Sequence, residues 1–177
     1  MITPEEFLAK ELELGIHKDN PRFLKRAIAT ANQVAHLKDL SVIDYGAGTG
    51  VYAHALQLQG FEVKACDIWK VHRDYMKENY PDLKVIARPI QSDLMYFIEV
   101  AEHMTDEEIE TAIEKISPEY ILFSSTSNRT DGDEDWGHIN IKSQAEWVDY
   151  WYRLGYALYE NFSKPTKWTK LFKRWEV

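Results

Sequence analysis

The chain has 177 residues, a formal charge of −8 and a hydrophobic fraction of 45%. This is enough for one continuous core, and the acidity opposes an extended phosphate-binding surface, whose affinity would rest on Lys and Arg. No apolar stretch approaches the ~20 residues that span a bilayer, and the single cysteine, Cys66, excludes an internal disulfide framework and a CxxC zinc site.

The N-terminus is acidic and helical in pattern, so it does not read as a signal peptide, and a reducing, cytoplasmic setting is expected. A first helix opens on a capping box, with Thr3 as cap, Pro4 next and Glu6 third, and ends near Gly15. A second starts at Asn20-Pro21 and runs to about His36. Residues 41–45 read as a strand and 51–59 as a helix closed by Gly60. Residues 61–67, FEVKACD, alternate as a strand should and end in Asp67. A helix over 70–79 stops before Pro81, and short or buried strands follow at 84–87 and 93–100. Thr105 and Glu108 open another boxed helix to 116, and 120–125 is a strand. Ser143 and Glu146 begin a helix to 154, with Trp147, Tyr150, Trp151 and Leu154 at the spacing of a core stripe. Two strands, 156–162 and 167–174, close the chain.

Alternating strands and helices imply a parallel sheet covered on both faces, here a three-layer α/β/α sandwich. The closing pair is expected to add one antiparallel strand at the sheet edge. The run 164–174, KPTKWTKLFKR, carries five basic side chains and no acid; it reads as a lysine-protected edge strand. The whole chain is expected to be one domain, with residues 1–38 a helical cap and 39–177 a ligand-binding core.

The stretch SVIDYGAGTG, residues 41–50, lies at a strand's carboxyl end, where ligands of open α/β sheets bind. Its glycines, Gly46, Gly48 and Gly50, follow GxGxG spacing. The dinucleotide fingerprint needs a glycine where Val51 stands, and no lysine completes a phosphate loop. Asp67, at the end of the next strand, suits the two hydroxyls of a ribose, and Asp44 favours a cationic partner. A nucleoside with a positively charged extension is the ligand implied.

VIDYGAGTG with an acid closing the second strand resembles the class I S-adenosylmethionine-dependent methyltransferases, small single-domain type, and so does IEVAEHM, 98–104. The resemblance covers about residues 40–175. It implies a Rossmann-like seven-stranded sheet of order 3-2-1-4-5-7-6, with strand 7 antiparallel, and S-adenosyl-L-methionine as cofactor. It assigns Gly46, Ala47, Gly48 and Gly50 to the methionine moiety, Asp44 to its amino-group side, Asp67 to the ribose and Ile68 to adenine. Glu99 would stand where the fourth strand opens onto the cofactor. Relatives often place an acid after the third strand to meet the adenine amino group; here that segment is ARPIQSD, with Arg88 and Gln91.

Methyl transfer needs alignment above all, and a base only if the acceptor loses a proton. The candidates are His103 and the pair Asp135 and His138, each weighed against a purely structural role. Asp131, Asp133 and Asp135 alternate as in a calcium loop, but Trp136 and Lys142 occupy its sixth and twelfth positions, so no metal is expected. The acceptor is expected to be a small molecule or an exposed group on a larger one. A non-catalytic cofactor-binding protein of the same fold is the other reading. Duplex DNA is not expected as a partner: residues 101–104 lack the proline and aromatic ring used on extruded bases. No membrane partner is expected either.

Overall fold

The computed structural model describes residues 2–127, 136–162 and 168–175. Helices α1 (Pro4–Glu13) and α2 (Pro21–Asn32) precede strand β1 (Val42–Tyr45). Helix α3 (Val51–Leu58), β2 (Val63–Cys66), α4 (Lys70–Asn79), β3 (Lys84–Ile86) and β4 (Leu94–Ile98) follow. Then come α5 (Asp106–Ile116), β5 (Tyr120–Ser124), α6 (Gln144–Arg153), β6 (Tyr156–Phe162) and β7 (Thr169–Arg174). Two 3₁₀ turns, Ala35–Leu37 and Ala101–His103, were not foreseen from periodicity, which three residues cannot display.

All three capping boxes form. Thr3, Thr105 and Ser143 each accept from the backbone N–H three residues on, while Glu6, Glu108 and Glu146 reach back to the cap. Each pair satisfies two donors that a helix start leaves orphaned. Ser117, in the left-handed region at φ 50°, ends α5.

The sheet has seven strands in the order β3-β2-β1-β4-β5-β7-β6, parallel except where β7 pairs with β5 and β6. The expected order and the antiparallel β7 are therefore both present. One expectation needs correction: the basic strand is not at the edge. β7 lies between β5 and β6, and its residues Thr169–Phe172 are buried. Lys170 is buried among them with its ammonium bonded to Asn161 Oδ1 at 2.9 Å. Internal hydrogen bonding, rather than solvation, accommodates that cation. The edge strand is β6, whose pairing shifts register between Leu158 and Glu160. Lys164, Pro165 and Lys167 lie outside the described residues.

Alternate strand residues feed two cores. Val42, Val63, Leu94, Tyr96 and Leu122 pack against α2, α3 and α4. Ile43, Met95, Phe97, Ile121 and Phe123 pack against α5 and α6. On the second face the predicted stripe is buried: Trp147 and Trp151 are fully inside, edge-on to Phe123 at 5.0 and 5.1 Å. Truncating either to alanine would cost about 3–5 kcal/mol. The consequence for function is positional. β1, β2 and β4 end together, so the turns after them share one rim.

Candidate cofactor and acceptor site

The turn after β1 is held down by its own backbone. The N–H groups of Gly46 and Ala47 both donate to the carbonyl of Cys66, at 2.9 and 3.0 Å. Gly48 has φ +53°, and a Cβ there would meet Glu11 Oε1 at 2.7 Å. Gly50 has φ +80°, and its Cβ would strike Met76 Cγ at 2.7 Å. The two glycines serve different ends: one clears the rim, the other lets α4 pack beneath the turn.

Asp67 stands beside that turn, buried. Its Oδ2 accepts from Gly48 N–H at 3.0 Å and its Oδ1 from Trp69 N–H at 2.8 Å. Burial pushes its carboxyl above the ordinary value, offset by nearby His72, these two N–H groups and Arg73. Arg73 also donates to the carbonyls of Asp67 and Ile68, at 2.8 and 2.6 Å, which fixes the strand end.

A cavity of about 1250 Å³ opens over this rim. Of the residues expected to meet the cofactor, Gly46, Ala47, Gly48, Asp67, Ile68 and Glu99 line it; Asp44 and Gly50 do not. Asp44 is buried beneath the turn, near the Ala53 N–H, with its Oδ2 lacking a partner. Its burial raises its carboxyl to about 7. Arg88 is on the cavity wall, whereas Gln91 is not.

Sequence reasoning missed the contribution of α1. Glu11 reaches the cavity and bonds to Nε2 of fully buried His72 at 2.9 Å. Burial raises the Glu11 carboxyl, and His72 opposes that rise. One turn earlier on the same helix, Phe7 sits edge-on to Trp69, His103 and Trp136 at 5.3–5.4 Å. The i, i+4 spacing of Phe7 and Glu11 was the available signal. Nothing in the sequence said which strand ends that face would cover.

The far end of the cavity begins where β4 stops. Glu99 has φ 54°, an uncommon conformation for a side-chain-bearing residue and one that concentrates at functional sites. Ser124 Oγ donates to its Oε1 at 2.6 Å and Thr126 Oγ1 to its Oε2 at 3.4 Å. Glu99 is accessible to the cavity yet surrounded by protein, and this desolvation, with Glu102 adjacent, pushes its carboxyl to about 7.

Glu102 is buried and accepts from Ser125 Oγ at 2.9 Å and Thr126 N–H at 3.1 Å. Its carbonyl accepts from Ile139 and Asn140, at 2.8 and 3.0 Å. Asn140 Nδ2 donates in turn to the Met104 carbonyl and Asp106 Oδ1, at 2.9 and 2.8 Å. These bonds staple residues 139 and 140 to the 3₁₀ turn and the start of α5. His103 lines the cavity, and His138, behind it, has its ring centroid 4.8 Å away. Burial and His138 bring the His103 imidazole down to about 4, so it is neutral near pH 7. The expected partnership of Asp135 with His138 falls on a position outside the described residues.

The donor end fits a sulfonium nucleoside. Each Asp67 oxygen has lone pairs beyond the single N–H bond it accepts, enough for two ribose hydroxyls. Ile68 beside it is 69% exposed, an apolar surface that a purine would cover. Glu11, Asp67 and Glu99 bring carboxyl oxygens to the cavity wall, acceptors that suit a cationic group.

Comparison with known proteins agrees. The family described as "Methyltransferase domain" matches residues 16–177. The chain is 30% identical over 174 residues to a ubiquinone biosynthesis O-methyltransferase of Rickettsia akari, covering 89% of this chain and 68% of that one. Its fold resembles the 1,6-didemethyltoxoflavin-N1-methyltransferase of Burkholderia thailandensis, solved with S-adenosylhomocysteine. There the TM-score is 0.62 at 14% identity, over 99% of this chain and 92% of that one. It also resembles the pyocyanin biosynthetic protein PhzM, with a TM-score of 0.64 at 14% identity over 88% of this chain. The chain spans only 56% of the length of PhzM. On these grounds the chain belongs to the methyltransferase-domain family and is a class I S-adenosylmethionine-dependent methyltransferase.

Proposed function

We propose that this enzyme methylates a ring hydroxyl of a small, largely apolar acceptor. The observation that carries this reading is the extent of the cavity. At about 1250 Å³ it exceeds the ~300–1,000 Å³ that one drug-sized ligand occupies, so donor and acceptor fit together. Beyond Asp67 its lining includes Phe7, Phe23, Tyr52, His103 and Met104, with Phe7 edge-on to His103. Aromatic walls of this kind suit a flat ring, and the acidic residues around it oppose a polyphosphate chain. The Rickettsia relative's name, a ubiquinone biosynthesis O-methyltransferase, supports oxygen as the attacking atom.

In this reading Asp67 would accept from the ribose hydroxyls, Ile68 would pack on adenine and residues 46–48 would pass the methionine chain. Asp44 acts from below by supporting the turn, and Glu99 limits the cofactor at the end of β4. When bound, S-adenosylmethionine supplies an electrophilic methyl group. The acceptor oxygen would take that methyl as the S–CH₃ bond opened, and its proton would pass to bulk solvent. The chain's contribution is to exclude water and hold the oxygen in line with the methyl. His103 stands on the wall that the oxygen would face.

The test is product formation. Purified protein is incubated with S-adenosylmethionine and, separately, catechols, hydroxybenzoates, duplex DNA and tRNA, and S-adenosylhomocysteine is quantified. Turnover with one or more ring hydroxyls, and background with both nucleic acids, is the expected result. Turnover confined to a nucleic acid would overturn the reading.

A further inference from the structure

The methionine chain of the cofactor ends in an ammonium, and the acid expected beside it, Asp44, is out of reach. Asp44 lies beneath the turn and off the cavity wall, with its carboxyl raised to about 7. From the geometry above the turn we infer that Glu11, carried by α1, takes that place as the partner of the cofactor's α-ammonium. The inference rests on the path of the methionine chain over residues 46–48 proposed above.

The first argument is a free oxygen. Glu11 Oε2 is bonded to His72 Nε2 at 2.9 Å, and an ionised carboxylate can only accept, so the ring nitrogen donates. Glu11 Oε1 has no hydrogen-bond partner among the described residues. It lies so close to the turn that a Cβ at Gly48 would stand 2.7 Å from it. Glu11 is also on the cavity wall, so this oxygen borders the path of the methionine chain.

The second argument is elimination. Each Asp67 oxygen already accepts from a backbone N–H, and its remaining lone pairs are those given to ribose above. Both oxygens of Glu99 accept from hydroxyls, and its carboxyl is pushed to about 7, so near neutrality it is only partly ionised. Glu107 and Glu108 line the cavity from α5, which packs on the opposite face of the sheet from α4. Glu11 is the acid left at the turn.

The third argument is support. α1 is fixed over the rim by Phe7, edge-on to Trp69 and Trp136, and the His72 that holds Glu11 is fully buried. Burial pushes the Glu11 carboxyl up, and nearby Asp67 adds to this against the pull of His72. A cation brought beside it offsets that cost, and an ammonium-to-carboxylate bond is among the stronger hydrogen bonds.

The experiment uses the full chain and two probes, S-adenosylhomocysteine and its analogue lacking only the α-amino group. Calorimetry near pH 7 compares wild type, Glu11→Gln and Asp67→Ala, and thermal melting checks folding. Glu11→Gln keeps an oxygen for His72 and loses the charge. It should weaken S-adenosylhomocysteine by about tenfold or more, the loss of one charge-assisted hydrogen bond, and leave the analogue within about twofold. Equal losses with both probes would overturn the inference and make Glu11 a tether for α1. Unchanged affinity in Glu11→Gln beside a loss in Asp67→Ala would overturn it and leave the donor placement standing. Unchanged affinity in both variants would overturn the placement as well. If Glu11→Gln fails to fold, the carboxyl carbon resonance of wild-type Glu11 decides. A shift with S-adenosylhomocysteine that the analogue does not produce supports the inference; the same response to both probes, or none, overturns it.

Discussion

The two ends of the cavity are built differently. At the proposed donor end, backbone fixes the geometry: the turn after β1 is tied to the Cys66 carbonyl, and Asp67 is held by the N–H groups of Gly48 and Trp69. At the proposed acceptor end, side chains from separate segments meet, Glu102 and His103 on one and His138 on another, joined by loop hydrogen bonds. A site made from strand ends is fixed once the sheet forms. A site made from stapled loops is free to vary with the acceptor while the donor end stays constant.

This contrast breaks most sharply at Asp67. In the proposed reading, replacing it by alanine would remove two charge-assisted hydrogen bonds to ribose, at roughly 1.5–3 kcal/mol each. Calorimetry should show S-adenosylhomocysteine affinity falling at least tenfold while the fold survives. An unchanged affinity would remove Asp67 from the cofactor site.

A subtler difference follows from burial beneath the turn. Folding raises the Asp44 carboxyl from 3.8 to about 7, so the folded chain holds a proton that the unfolded chain releases. The stability this gives is complete below about pH 4, falls as pH rises toward 7, and is flat above. Across that window one titrating carboxyl lowers stability by at most about 1.4 kcal/mol per pH unit. Asp44→Asn keeps an acceptor oxygen and should flatten the decline in denaturant midpoint between pH 4 and 7. The same slope in wild type and variant would show that Asp44 is not its source.

The smallest effect belongs to the acceptor side. Asn140→Ala removes the bonds to the Met104 carbonyl and Asp106. Stability should drop by about 1–2 kcal/mol, turnover should fall several-fold and cofactor affinity should stay within about twofold. Equal losses at both ends would mean that they are one mechanical unit.

The same contrast explains what the sequence disclosed. Strand, turn and helix around the glycines are contiguous, so their residues announce their geometry. Asp67 is found by asking where the next strand ends. Capping boxes were legible because a cap and its glutamate are three residues apart. Glu11 and His72 were not legible as a pair, because 61 positions separate them and only the docking of α1 joins them. Glu102 and Asn140 likewise meet through a backbone bond that no side-chain pattern encodes. The basic strand misled for a related reason. Its lysines suggested an edge, whereas Lys170 is buried against Asn161, a partner visible only after β6 and β7 pair.

Amide chemical shifts on titrating S-adenosylhomocysteine into isotopically labelled protein test the central claim most directly, since they report both ends at once. The account predicts the largest shifts at Gly46, Ala47, Gly48, Asp67 and Ile68, with small ones at Ile139 and Asn140. Shifts concentrated at residues 138–140, with the glycine turn unmoved, would contradict it.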